Sequence, residues 1–141
     1  MANMAVNLGG IAMKNPVTVA SGTFGYGQEY ARLFDISRLG AVTAKGIRAC
    51  PWPGNPLPRH AEVPGGMLNA IGLQGPGVDA FIRDDMPFLA ERNVPTIVNI
   101  WGTSAEEYAD VAARLTGVPG VVGLELNVSC PNVKEGGASF G

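Results

Sequence analysis

What most constrains this chain is an alternation. Short apolar, β-branched runs recur along it, and each ends in or is followed by a polar residue. Val17-Thr18-Val19-Ala20 leads into Ser21-Gly22-Thr23, and Ala41-Val42-Thr43-Ala44 into Lys45-Gly46. Thr96-Ile97-Val98-Asn99-Ile100 carries Asn99 near its end, and Val121 to Leu126 leads into Asn127. Segments of helical spacing and one long loop separate these runs. Strands alternating with helices imply an α/β fold with a parallel sheet and crossover helices. Parallel strands place their C-terminal ends on one side, so Ser21, Lys45, Asn99 and Asn127 are expected to converge. That is the geometry of a (β/α) barrel mouth, where sites form. No Gly-x-Gly-x-x-Gly follows the first run, which weakens a dinucleotide-binding reading.

The connecting segments are read from their local chemistry. Ala5 to Leu8 and Ile11 to Met13 flank Gly9-Gly10, the pattern of a short hairpin. Gly27 to Phe34 has helical spacing, with Tyr30, Ala31 and Phe34 on one face. Cys50 to Pro64 reads as a long irregular loop holding five prolines and the only histidine, His60, which is assigned no chemistry. Loops this long in compact domains tend to be functional. The segment continues through Met67 to Gln74, where Asn69 is a candidate polar contact in an otherwise apolar pocket wall. Pro76 to Arg92 reads as a helix that Pro87 forces to kink or restart near Asp84 or Asp85. Ser104 and Glu107 form a capping box. Ala105, Tyr108, Ala109, Ala112 and Leu115 make the buried stripe, and Glu106, Glu107, Asp110 and Arg114 a solvated face. Gly117 and Pro119 end that helix.

Composition bounds the function classes. A chain of 141 residues is of ordinary size for one domain, and 46% hydrophobic against 16% charged residues implies extensive burial. A net charge of −2 supplies no electrostatic footprint for nucleic acid. The two cysteines, Cys50 and Cys130, are far apart, so neither a disulfide framework nor a zinc site is expected, and a reducing, cytoplasmic setting fits best. The first ten residues lack a basic segment followed by an apolar run, so no signal peptide is expected. No apolar stretch approaches the roughly 18 residues of a membrane span.

Three positions invite chemistry. Ser21-Gly22-Thr23 fits either a tight turn or the close approach of a flat ligand to the backbone. Lys45 stands where an anion or electron-rich ring could be met, although a solvated lysine is the commoner reading in isolation. Cys130 lies past a strand end in Asn127-Val128-Ser129-Cys130-Pro131-Asn132. A free cysteine is most often a small packing residue. Here it stands among amides, a hydroxyl and a proline that biases it away from helical angles, which favours a chemical role.

Taken together, several motifs resemble one family. They are Ala20-Ser21-Gly22, Ala44-Lys45-Gly46, Gly54-Asn55-Pro56-Leu57-Pro58-Arg59, Met67-Leu68-Asn69-Ala70-Ile71-Gly72-Leu73-Gln74 and the Asn127 to Asn132 segment. This combination, running from about residue 5 to the end, is similar to the catalytic subunit of dihydroorotate dehydrogenases. Asn69-Ala70-Ile71-Gly72-Leu73-Gln74 and Asn132 to Gly137 look most like the NAD-linked class 1B branch. Membrane-bound class 2 members carry serine where Cys130 stands.

The resemblance implies an FMN-containing (β/α)8 barrel that oxidises dihydroorotate to orotate in pyrimidine (UMP) biosynthesis. It implies that Cys130 is the base that takes the C5 proton while hydride leaves C6 for the flavin; thiols as a class titrate near enough to neutrality for this. Asn69, Asn127 and Asn132, with the backbone of Ile71, Gly72 and Leu73, would hold the substrate. Lys45 would serve substrate and flavin. Ala20, Ser21, Gly22, Asn99 and Asn127 would line the flavin ring. A homo-oligomer is implied, and so is a partner subunit carrying FAD and an iron–sulfur cluster that passes electrons to NAD. Two isolated cysteines could not hold a cluster that takes four thiolates. A whole barrel takes about 250 residues. Residues 1–141 are therefore expected to be one partial domain, the N-terminal half of a barrel with about four strands after the hairpin. Alone it is expected to bind FMN weakly or not at all, to self-associate and to be inactive. The alternatives are a flavin barrel of dihydropyrimidine dehydrogenase type, or an inactive fragment that needs assembly to fold.

Overall fold

The computed structural model describes residues 2–133. Strands β1 (Val6–Leu8) and β2 (Ile11–Met13) form the antiparallel hairpin turning at Gly9-Gly10, both at positive φ. A short helix α1 (Ser21–Phe24) follows, then β3 (Val42–Ile47), and a second hairpin of β4 (His60–Val63) and β5 (Gly66–Asn69). Next come α2 (Val78–Ala80), a π turn at Phe81–Asp85, α3 (Met86–Glu91), β6 (Thr96–Ile100), α4 (Ala105–Leu115) and β7 (Val121–Leu126).

Strands β3, β6 and β7 make one parallel sheet in that order. Val42, Val98 and Ile100 are fully buried together with Phe81, Leu89 and Val111 from the helical segments. The alternation in the sequence thus yields the expected parallel sheet, with three of the four expected strands in it. The fourth, Val17 to Ala20, is not a strand. It lies beside β3 through the Val17 carbonyl, which accepts the Gly40 N–H at 2.8 Å, and through a Thr18–Thr43 hydroxyl contact at 3.2 Å. Pro16 has no N–H to offer a ladder, and the chain turns into α1 after four residues.

Other expectations are corrected. β3 runs on through Lys45 and Gly46 instead of stopping before them, with its register against β6 shifting between Ala44 and Ile47. Such an irregularity re-aims side chains at a strand end. Gly27 to Phe34 is not a continuous helix. Only a 3-10 turn forms at Tyr30–Arg32, and a second at Ile36–Arg38 begins where Asp35 accepts the Ser37 N–H. Tyr30 instead stacks on Phe24, with ring centroids 4.3 Å apart. The irregular loop of residues 50–64 ends in β4.

The restart expected near Asp84 or Asp85 does occur. Pro87 cannot donate to the carbonyl four residues back, and the ladder widens: Met86 donates its N–H to Phe81, five residues back. At α4, Ser104 accepts the Glu107 N–H at 3.3 Å, as the capping box requires. The carboxylate of Glu107, however, does not return to Ser104. It takes the N–H of Thr103 at 2.9 Å and ion-pairs with Arg48 at 2.6 Å, both side chains about seven-eighths buried. Glu107 therefore belongs to a buried contact and not to the solvated face. The buried stripe is carried by Val111 and Leu115, with Tyr108 and Ala112 partly buried, while Ala105 and Ala109 are exposed.

Candidate functional site

The parallel sheet brings one set of polar residues together. Asn99 on β6 and Glu125 on β7 are register partners, so their side chains share a face. The Glu125 carboxylate accepts Ser21 Oγ at 2.8 Å and Asn99 Nδ2 at 2.6 Å through the same oxygen. Asn99 Oδ1 in turn accepts Asn127 Nδ2 at 3.4 Å. Asn127 follows β7 directly, its N–H donated to Ile100 at 2.9 Å and its carbonyl held by the Tyr108 hydroxyl. Ser21, Asn99 and Asn127, with Glu125, border a cleft of about 330 Å³. Gly46 leaves the room that Asn99 occupies: a Cβ there would stand 2.9 Å from Asn99 Oδ1. Ala20 and Gly22 are exposed beside Ser21, and a Cβ on Gly22 would meet nothing within 4 Å.

A second set forms where the cysteine loop meets the β4–β5 hairpin. Asn132 donates from Nδ2 to Asn69 Oδ1 at 3.2 Å. Asn55 ties both to the following segment: its Nδ2 reaches the Ala70 carbonyl at 3.0 Å and the Asn132 carbonyl at 2.9 Å, and its N–H donates to Ile71 at 3.0 Å. Gly72 and Leu73 both adopt positive φ, +73° and +57°. A Cβ on Gly72 would meet Asn55 at 2.7 Å, so the tight turn excludes a side chain there. Leu73 is the costlier case, a branched residue held in the left-handed region. Trp52 fastens the turn from outside by donating Nε1–H to the Gly72 carbonyl at 2.9 Å.

Along the chain Cys130 falls between Asn127 of the first set and Asn132 of the second, and it is half-buried. The chain is anchored on both sides of the thiol, at Asn127 by Ile100 and Tyr108 and at Asn132 by Asn55 and Asn69.

Lys45 lies beside the two sets without a side-chain hydrogen bond to either among the described residues. It borders a cavity of about 580 Å³ with Tyr26, Glu29, Trp52, Gln74 and Asp85, and a smaller one of about 240 Å³ with Gly22 and Thr23. Burial, reinforced by the neighbouring Arg59 guanidinium, holds the Lys45 ammonium below the usual lysine range. In the larger cavity burial, helped by Asp84 and Glu29, pushes the Asp85 carboxyl up to about 6 despite a hydrogen bond from Gln28. The Tyr26 hydroxyl is buried without a hydrogen-bond partner among the described residues, and burial raises its phenol above the ordinary range.

Sequence reasoning missed Glu125, Asn55, Tyr108 and Trp52 as parts of these arrangements. Glu125 had a visible signal: a carboxylate near the end of an apolar strand run is unexpected there unless it is paired. Asn55 carried none beyond its place in a quoted motif.

The sequence profile of the dihydroorotate dehydrogenase family matches residues 3–141. The chain is 57% identical over 139 residues to a protein of Pelobacter propionicus and 56% identical to one of Geobacter sp. strain M21. Both are named dihydroorotate dehydrogenase B (NAD(+)), catalytic subunit, and each alignment covers 99% of this chain and 46% of the relative. The chain thus spans about half the length of the curated relatives it matches. Among solved structures, DHODH from Eimeria tenella in complex with ferulenol superposes with a TM-score of 0.69 at 22% identity, covering 94% of this chain and 38% of that one, and shares the fold. With a family-wide match across nearly its whole length and relatives at more than half identity, the chain belongs to the dihydroorotate dehydrogenase family.

Proposed function

We propose that this chain supplies the N-terminal half of a (β/α)8 barrel, residues 1–141 being one partial domain, and that the complete barrel oxidises dihydroorotate to orotate with FMN. The observation that carries this reading is the double anchoring of the Cys130 loop, tied on one side of the thiol at Asn127 by Tyr108 and on the other at Asn132 by Asn55 and Asn69. The residues present suit the ring portion of FMN. Polar groups from three segments end at one open cleft, with exposed small residues, Ala20 and Gly22, beside it. Ser21, Asn99 and Asn127 would hold that ring, with Ala20 and Gly22 against it and Lys45 at its margin. Asn69, Asn127 and Asn132, with the backbone of Ile71 to Leu73, would hold the substrate.

In the reaction a proton passes from C5 of dihydroorotate to the Cys130 sulfur, hydride leaves C6, and the C5–C6 double bond forms. Bound FMN supplies the two-electron acceptor for that hydride. The chain orients the ring through amide hydrogen bonds, and the Lys45 cation attracts the substrate carboxylate. The relatives' name, dihydroorotate dehydrogenase B (NAD(+)), catalytic subunit, supports a separate partner subunit; that partner is proposed to carry FAD and an iron–sulfur cluster. Among the described residues no helix is long and apolar enough to cross a membrane.

The test is Cys130→Ala in the full-length enzyme. Loss of a positioned base should lower turnover by about 10²–10⁴-fold while orotate still binds. Cys130→Ser should recover activity only at raised pH, if at all. Steady-state rates like those of the parent would refute the base assignment. Bleaching of the flavin by dihydroorotate, and not by a dihydropyrimidine, separates this reading from a dihydropyrimidine dehydrogenase.

A further inference from the structure

Glu125 lies outside the roles assigned above, yet it heads a chain of hydrogen bonds that ends at the candidate cleft. An ionised carboxylate can only accept. The group that Asn99 turns toward it at 2.6 Å must therefore be the amide NH₂, which fixes the orientation of that amide. Asn99 Oδ1 then faces Asn127, which must answer with its own NH₂ at 3.4 Å. Asn127 therefore keeps its side-chain carbonyl oxygen unspent, beside the second hydrogen of that NH₂, on a residue that borders the cleft. Ser21, donating its hydroxyl hydrogen to the same carboxylate oxygen at 2.8 Å, keeps only lone pairs for a ligand. One charge at the end of β7 thus sets the direction of every bond in the series. Gly46 makes this possible by leaving the space beside Asn99 Oδ1.

We propose that Glu125 is a positioning residue that fixes the hydrogen-bond polarity of the cleft, so that Asn127 presents an acceptor to a ring N–H. This rests on the dihydroorotate dehydrogenase reading. The pyrimidine substrate and the flavin both carry such an N–H flanked by carbonyl groups. A carboxylate is needed because a neutral amide at position 125 could either accept or donate, and Asn99 and Asn127 would then be free to reverse together.

Reversal makes the proposal testable in the full-length enzyme. Glu125→Gln keeps size and should leave the melting temperature within a degree or two, yet weaken ring binding about tenfold. Asn127→Asp alone places a carboxylate against Asn99 Oδ1 while Glu125 forbids the amide to turn, and should weaken binding further. The double variant Glu125→Gln/Asn127→Asp permits the whole series to run backwards. The new amide at position 125 donates to Asn99, and Asn99 donates to the new carboxylate at position 127. That carboxylate still offers an acceptor to the ring. Binding by the double variant should return to within about threefold of the parent, a rescue that a merely structural carboxylate would not produce.

Two titrations read the result, FMN into deflavinated protein and orotate into FMN-loaded protein. A change and rescue in the first assigns the N–H to the flavin, and in the second to the substrate. Glu125→Gln unchanged in both titrations, or a double variant no better than Asn127→Asp, overturns the assignment. A parent enzyme that fails to oxidise dihydroorotate would instead sink the reading of function on which it rests.

Discussion

Strands β6 and β7 are neighbours in one sheet and similarly apolar in sequence, but they meet opposite fates. Val98 and Ile100 of β6 are fully buried, whereas their register partners on β7, Leu124 and Leu126, are 38% and 60% exposed. Partners in a parallel ladder point to the same side, so one face of the sheet is covered over β6 and bare over β7. The cover is Phe81, Leu89, Val111 and Leu115, brought by the π turn, α3 and α4. Composition marks both segments as strands, and only the elements packed against them decide which one is core. Among the described residues the exposed leucines form an apolar surface on the bare side of β7.

Four substitutions break or sharpen that contrast. The largest effect is expected where the cover is thickest. Phe81→Ala empties a fully buried aromatic position and should cost about 3–5 kcal/mol in urea denaturation of the full-length protein. A loss below about 1 kcal/mol would mean that the π turn is not part of the core. Next comes Glu107→Ala, expected to cost about 3 kcal/mol because it leaves the Arg48 guanidinium buried, between Trp52 and Trp101, with no countercharge. The paired change Arg48→Met/Glu107→Leu should recover most of that loss, and failure to do so would place the cost in packing instead of charge.

Leu126→Ala tests the bare side. If a further element covers β7 in the longer protein, the substitution should cost about 2 kcal/mol there. A change of less than about 0.5 kcal/mol would identify β7 as a true solvent face. The smallest effect is expected at Asp85, whose folded pKa is raised to about 6 by burial. The folded state then holds its proton to higher pH than the unfolded chain, so stability falls as pH rises from about 4 through 6, and the penalty is complete above that. Asp85→Asn should therefore stabilise by about 1 kcal/mol at pH 7.5, discounted because the group is only half-buried, and change nothing below pH 4. A stabilisation that persists at pH 3.5 would show another origin.

What was legible beforehand was local. The restart near Asp85 follows from one missing N–H at Pro87, and the end of α4 from Gly117 at φ +79°. The Ser104 cap follows from two residues three apart. The hairpin of β4 and β5 was hidden by the prolines before it, because turn residues advertise irregularity and say nothing about which extended pieces pair across them. Lys45 was expected just past a strand end, whereas β3 runs through it to Ile47, and its company was not foreseen. The register shift in β3 is a property of the pairing with β6 and has no signature in Ala44-Lys45-Gly46 alone.

The sequence by itself determined that short parallel strands alternate with helices, that polar residues mark the strand ends, and that a thiol stands in a polar loop. These follow from side-chain period and from the backbone chemistry of glycine and proline, which act over a few residues. Only the tertiary structure decided that Glu107 is buried against Arg48, 59 residues away, and that Asn55 holds Asn132, 77 residues on. It likewise set Glu125 to receive Ser21 across 104 residues. Hydrogen bonds and ion pairs act through space at about 3 Å, and the distance along the chain between their partners is set by how the strands stack.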